Sequence, residues 1–286
     1  MTGGEGGLGG RRPGGAGWTA GGCGPGGQWP RGAVDGRGRE PGWTAGERGC
    51  ELDAGHLVWA EQRRADGRVG PGVRVFRRGA AVAVASPGLS GRDRVAVAGE
   101  EEDALGLVAD VLREVGPTYR PFGDAELIGA LVRGIPGLEV GGGPFLWMET
   151  AEIPATDTAG ARWLDGRGEA EAAGLFDGHF AGSYAQPGRP GVRRWAGVYG
   201  EDALLAVAAD AWSGAGCGFM AGVVAHPRAR GRGLGAAVSG FVVDALVREH
   251  GRAALMVDAD NAPAIAAYER TGMKGRRFAA AGVARR

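Results

Sequence analysis

The most constraining stretch of this chain lies between Val223 and Gly251. An apolar run, Val223-Val224-Ala225, stops at His226-Pro227, and glycines follow at 231, 233 and 235. Val238, Phe241, Val242, Ala245 and Leu246 then recur at helical spacing, with Gly251 placed to close the helix. A strand that hands over to a helix through such a loop leaves its backbone N–H groups uncovered, because glycine has no side chain to screen them. The helix N-terminus adds unpaired N–H donors and about half a positive charge. Arg230 and Arg232 add guanidinium forks that phosphate oxygens accept bidentately. Arg230, Gly231, Arg232, Gly233, Leu234, Gly235 and Ala236 thus have the chemistry of a pyrophosphate cradle.

Three other readings of this loop compete. A P-loop needs GxxxxGK[ST], and no Lys-Ser or Lys-Thr pair occurs. A dinucleotide fingerprint fits Gly231, Gly233 and Ala236 loosely, but too little chain follows to build the rest of such a domain. A glycine turn that binds nothing leaves the two flanking arginines unexplained. Downstream, residues 252–257 read as a buried strand, and Asp258-Ala259-Asp260-Asn261 leads into a helix at 262–270. Asn261 is a natural N-cap, and Pro263 is tolerated in the first turn. Tyr268 lies seven residues after Asn261, and seven steps of about 100° return to nearly the same face.

Arg230-x-x-Gly233-x-Gly235 resembles motif A of the GNAT acetyltransferase superfamily, and Asn261 through Tyr268 to Gly272-Met273 resembles its motif B. The resemblance covers roughly residues 162–283. It implies an α/β (α+β) acyl-CoA N-acyltransferase fold with a mixed, mostly antiparallel central sheet. It also implies acetyl-CoA as co-substrate, with no metal, and direct transfer of the acetyl group to an amine. In that family a splayed strand, matching Val223, Val224 and Ala225 here, offers N–H donors to the thioester oxygen. The Asn (Asn261) contacts the pantetheine arm, and the Tyr (Tyr268) protonates the departing thiolate. The family ends in a strand pair, for which only residues 275–283 remain, so a short or incomplete hairpin is expected. The general base is not visible: Phe219 and Met220 are apolar where many relatives carry Glu, leaving Glu201, Asp202, Asp210, Asp258 or a water chain. His226 sits at the strand end, and Trp195, Trp212 and Tyr184 are candidates for the acceptor pocket or for core packing.

The rest of the chain divides by composition. About two-fifths of residues 1–50 are glycine, and Gly17-Trp18-Thr19-Ala20-Gly21 recurs at Gly42-Trp43-Thr44-Ala45-Gly46. Such a segment buries too little apolar surface to offset its ordering entropy and reads as a disordered tail. Residues 51–150 read as a smaller α/β unit. It has strands at 73–76, 81–85, 95–98 and 145–148, a helix at 100–115 stopped by Gly116-Pro117, and a second at 124–134 capped by Asp124. With no RxxGxG loop, this unit is a candidate degenerate copy of the same fold that holds no coenzyme. A linker at 153–160 precedes the domain of residues 151–286. That domain opens with a helix at 169–180, a loop at 185–191, and strands at 194–199, 204–209 and 217–225.

Charge and cysteine usage exclude other classes. Lys plus Arg and Asp plus Glu number 33 each, so no excess positive charge speaks for nucleic acid. Lys274 is the single lysine, and an Arg-rich, Gly-rich, Ala-rich usage fits GC-rich coding. Cys23, Cys50 and Cys217 form no disulfide framework, and His56, His179, His226 and His250 lack ligand spacing. No apolar run approaches the ~20 residues of a membrane span, and no signal-peptide core follows Arg11-Arg12. The expectation is a cytoplasmic N-acetyltransferase acting on a small molecule or peptide amine, a monomer or homodimer without nucleic-acid or membrane partner. The alternative is a coenzyme A-binding sensor or scaffold. A chain beginning near Glu51 is expected to keep full activity, and loss of activity on that truncation would give the tail a role.

Overall fold

In the computed structural model, residues 54–158, 160–201 and 203–284 are described; the expected tail and Asp202 lie outside them. A short helix α1 (Gly55–Ala60) leads into the meander β1 (Arg74–Arg78), β2 (Ala81–Leu89) and β3 (Arg92–Ala98). Then come α2 (Glu101–Val115), β4 (Arg120–Asp124), α3 (Ala125–Gly134), β5 (Leu138–Val140) and β6 (Phe145–Thr150). The second half runs β7 (Ala161–Trp163), α4 (Gly166–His179), β8 (Val192–Tyr199), β9 (Leu204–Ala211) and β10 (Gly218–Ala225). After a 3-10 turn at Pro227–Ala229 it continues with α5 (Leu234–His250), β11 (Ala253–Asp258), α6 (Ala262–Glu269) and β12 (Lys274–Val283).

Local chemistry sets the helix ends. Glu101, Glu102 and Asp103 fill the first turn of α2, where the helix dipole favours them, and Asp124 caps α3 by accepting the Glu126 N–H. Gly251, at φ 78°, closes α5 in the left-handed conformation that glycine adopts without strain. Two strands contradict local signals. Arg120-Pro121-Phe122-Gly123-Asp124 contains turn residues, yet it is a strand because β3 and β12 pair with it from either side. β7 is three residues long and exists through pairing with β8.

All strands join one sheet, in the order β1-β2-β3-β4-β12-β6-β11-β10-β9-β8-β7, with β5 beside β12. Each half runs three antiparallel strands, a helix, a parallel strand, a helix and an exit strand; the parallel pairs are β3/β4 and β10/β11. The exit strands are exchanged. β6, made in the first half, lies between β11 and β12, while the end of β12 crosses to pair with β4 and β5. The expected C-terminal hairpin is therefore absent. β12 is one continuous strand, and the missing partner comes from residues 145–150.

A line of register partners, Asp258, Phe145, Phe278 and Asp124, crosses four strands from β11 to β4. Strand alternation then assigns the faces. α2 and α3 bury Leu107, Val111, Ile128 and Leu131 on one face of the first half, and α5 buries Val238, Val242 and Leu246 on the same face of the second. α1 and α4 cover the opposite face, where Trp59, Phe122, Phe145, Trp147, Trp195, Phe219 and Phe278 form a core spanning both halves. Trp59 stacks on Phe219 at 4.3 Å between centroids, and its Nε1–H donates to the Trp212 carbonyl at 2.9 Å.

His56 is locked into this joint. Its Nε2–H donates to the Val97 carbonyl at 3.0 Å, and the rings of Phe122, Trp147 and Phe278 surround it edge-on. Burial is the main cause that lowers its pKa from 6.5 to about 4. The unfolded chain thus binds a proton that the folded chain refuses, so His56 favours folding above pH 6.5, and this contribution is lost as pH falls toward 4. The expected loss is about 3 kcal/mol across that window. Urea midpoints at pH 7 and pH 4.5 check it: His56→Phe should flatten the difference, and an unchanged slope would acquit this residue.

Candidate active site

The parallel ladder between β10 and β11 lasts only two residues, Gly218 to Ala253 and Phe219 to Ala254. Beyond it the edge of β10 facing β11 has no strand partner from Met220 to Ala225, so Val223, Val224 and Ala225 lie along an opened sheet edge. A bulge against β9 between Ala221 and Val224 bends the strand there. Gly222 makes the bulge possible: its φ is +62°, and a Cβ would lie 2.5 Å from the Trp195 ring.

The loop after β10 is built to stay open. His226 Nδ1 accepts the Arg228 N–H at 3.2 Å, so this histidine caps the 3-10 turn. Gly231 and Gly233 take φ of 75° and 78°, and a Cβ on Gly231, Gly233 or Gly235 would meet nothing within 4 Å. No side chain caps α5; the first bond into the helix is Ala237 N–H to the Gly233 carbonyl at 2.9 Å. The N–H groups of Leu234, Gly235 and Ala236 precede that bond. Arg230 and Arg232 are exposed and form no ion pair among the described residues. Bare donors, a helix N-terminus and two uncommitted guanidinium groups fit a diphosphate.

The opposite lip of the gap is the end of β11. Asp258 shares the sheet face of its register partner Phe145, the face covered by α1 and α4. Burial, and after it the neighbouring Asp260, raises the Asp258 carboxyl pKa. Asn261 caps α6, its Oδ1 accepting the Ala264 N–H at 3.3 Å. Tyr268 packs beneath α5 at 7% exposure, and burial followed by the nearby Tyr184 pushes its phenol well above the ordinary value. Tyr184, from the loop between α4 and β8, is 43% exposed with its ring against Trp212 at 5.7 Å. Its phenol is raised chiefly by burial and interacts electrostatically with Arg94 and Asp258.

The other sequence candidates fall elsewhere. Trp195 is core, 1% exposed and edge-on to Phe176. Trp212 is 8% exposed, and its carbonyl accepts from both Trp59 and Gln62. Asp210 is buried on β9 beside Met220, where it takes Arg193, Arg194 and the Ser213 hydroxyl near Glu249 and His250; it is the centre of an ion-pair network. Glu201 is exposed in the β8–β9 turn. Of the described candidates Glu201, Asp210 and Asp258, Asp258 is the one at the opened edge.

Residues 173–273 match the GNAT acetyltransferase family. A GCN5-related N-acetyltransferase from Kribbella flavida superposes with a TM-score of 0.51 at 19% identity, covering 80% of this chain and 93% of that one. A GCN5-related N-acetyltransferase from Sphaerobacter thermophilus gives 0.48 at 16% identity, over 76% and 77% of the two chains. No curated protein matches the chain. The first likeness establishes the fold over both halves of the sheet.

The open cradle yields a direct expectation. Replacing Arg230 and Arg232 together by Gln should weaken binding of inorganic pyrophosphate at least tenfold, since each charge-assisted bond contributes about 1.5–3 kcal/mol. Calorimetry at two salt concentrations reads both the loss and the reduced salt dependence.

Proposed function

We propose, on the premise that residues 173–273 form a GNAT acetyltransferase domain, that this chain transfers an acetyl group from acetyl-CoA to an amine. One observation carries the reading: a parallel pair parts after two residues, and its opened edge runs directly into a glycine cradle. Coenzyme A supplies an acyl group activated as a thioester. Arg230, Gly231, Arg232, Gly233, Leu234, Gly235 and Ala236 hold the diphosphate, and the free amide of Asn261 faces the remainder of the arm. The N–H groups that β10 turns toward its opened edge between Val223 and Ala225 meet the oxygen on which negative charge develops. Holding both reactants at one gap contributes several kcal/mol of barrier reduction.

Asp258 is positioned to take the proton from the incoming ammonium. Burial, and after it Asp260, raises its carboxyl pKa, which makes it a stronger base toward an ammonium than an ordinary carboxylate. Because it must be deprotonated to act, turnover should fall as pH drops through that raised value. Tyr268 stays protonated throughout and donates a hydrogen bond to the departing sulfur. Its phenol lies so far above a thiol's ~8.5 that complete transfer is uphill. That mismatch is the observation favouring the second reading, a coenzyme-holding protein without turnover.

Tyr268→Phe should lower kcat by about a hundredfold with the heat of acetyl-CoA binding unchanged. Asp258→Asn should abolish the acidic limb of the pH–rate profile. Acetyl-CoA binding with no acetylated product from any amine would leave the sensor reading standing, and absence of binding at millimolar ligand would remove both.

A further inference from the structure

The first half has a cavity of its own where its parallel strands end. The register of β3 and β4 stops at Ala96 and Phe122. Just beyond it the Val97 carbonyl accepts from His56 Nε2, 3.0 Å away. A cavity of about 420 Å³ lies at this point, the size of a small-ligand site. Its walls come from the ends of β3 and β4, the first turns of α2 and α3, the His56 ring of α1, and Arg276 and Phe278 of β12.

This cavity is separate from the gap between β10 and β11. From β11 through β6 and β12 to β4, each strand pairs antiparallel with the next, so β11 and β4 run in opposite directions. The gap opens toward the C-terminal end of β11, and the cavity sits at the C-terminal end of β4. The two therefore face opposite ends of the sheet.

The lining has one prevailing charge. Glu101, Asp124 and Glu126 are exposed and form no ion pair among the described residues; Asp124 spends only Oδ1, on the Glu126 N–H. Arg276 is the cation of the lining, and its guanidinium is shared between the Phe278 ring and Glu149, 3.8 Å away. Three carboxylates against one guanidinium leave an excess of two negative charges. The buried wall adds an acceptor without a donor. With Nε2–H given to Val97, His56 Nδ1 carries the lone pair, and this atom is buried with no hydrogen-bond partner among the described residues. Burial also keeps the ring neutral at pH 7, its pKa lowered to about 4, so it does not repel a cation. Leu127 and Phe278 supply apolar wall.

We infer that this cavity binds a short aliphatic amine in its ammonium form. Glu101, Asp124 and Glu126 face the charge, His56 Nδ1 is the inner acceptor, and Leu127 and Phe278 lie against the carbon chain. The excess of two negative charges favours a diamine over a monoamine. This ligand is not the acceptor of acyl transfer, because the cavity and the gap face opposite ends of the sheet, and its binding does not depend on that reaction.

Calorimetric titration of the full chain with 1,4-diaminobutane, butylamine, 1-butanol and butyrate tests the site. The diamine should bind, butylamine about tenfold more weakly, and the alcohol and the carboxylate not at all. Replacing Glu101 and Glu126 together by Gln should weaken the diamine by roughly 10–100-fold, while Asp258→Asn should leave it unchanged. The thermal midpoint of each ligand-free variant reports its fold. Should the double variant melt early, Asp124→Asn, which keeps the cap of α3, reads the same loss. Diamine affinity that survives the carboxylate replacements, or that is lost in Asp258→Asn, puts the amine outside the cavity and overturns the inference. No heat from the diamine at millimolar ligand, or equal heat from butyrate, also overturns it. Calcium chloride that binds where the diamine does not would mark a hard-cation site and overturn it as well.

Discussion

β6 and β12 each leave the half in which they form and satisfy their backbone groups in the other, and the rest of the molecule follows from that exchange. Buried N–H and C=O groups must be paired. Without β6, β11 would present a bare edge; without β12, β4 would. Neither half is therefore a finished domain by itself. The line of partners from Asp258 to Asp124 fixes how far the opened gap in one half stands from the cavity of the other. The aromatic core beneath α1 fills the crossing, so this distance is held by close packing.

Backbone strain is confined to a few positions. Among the described residues, Gln62, Ser90 and Trp212 are the non-glycine positions with positive φ. Gln62 donates to the Trp212 carbonyl, Trp212 supports the ring of Tyr184, and Ser90 fixes Arg94. Such conformations cost about 1–3 kcal/mol each and persist where surrounding structure over-determines them. Here they hold Trp212, the Tyr184 ring against it, and Arg94.

Much of this was legible in the residues. The cradle, the α5 stripe, the Asn261 cap and the heptad step to Tyr268 are local, and local spacing sufficed for them. The helices α2 and α3 followed from acidic first turns and apolar faces. What escaped was set by pairing at long range. β4 hides behind Pro121 and Gly123, α1 is too short to show a period, and nothing in Phe145–Thr150 says in which half it will pair. Asp258 looked like three other carboxylates until the sheet placed it beside the opening.

The first turn of α2 stands where the first turn of α5 stands in the repeated topology, directly after the strand that pairs in parallel. Nature filled one with bare glycine and arginine and the other with Glu101, Glu102 and Asp103. The two helix starts thus carry opposite charge, carboxylates in the first turn of α2 and guanidinium groups just before α5. The two halves share an order of elements and differ in the charge they set at this one junction.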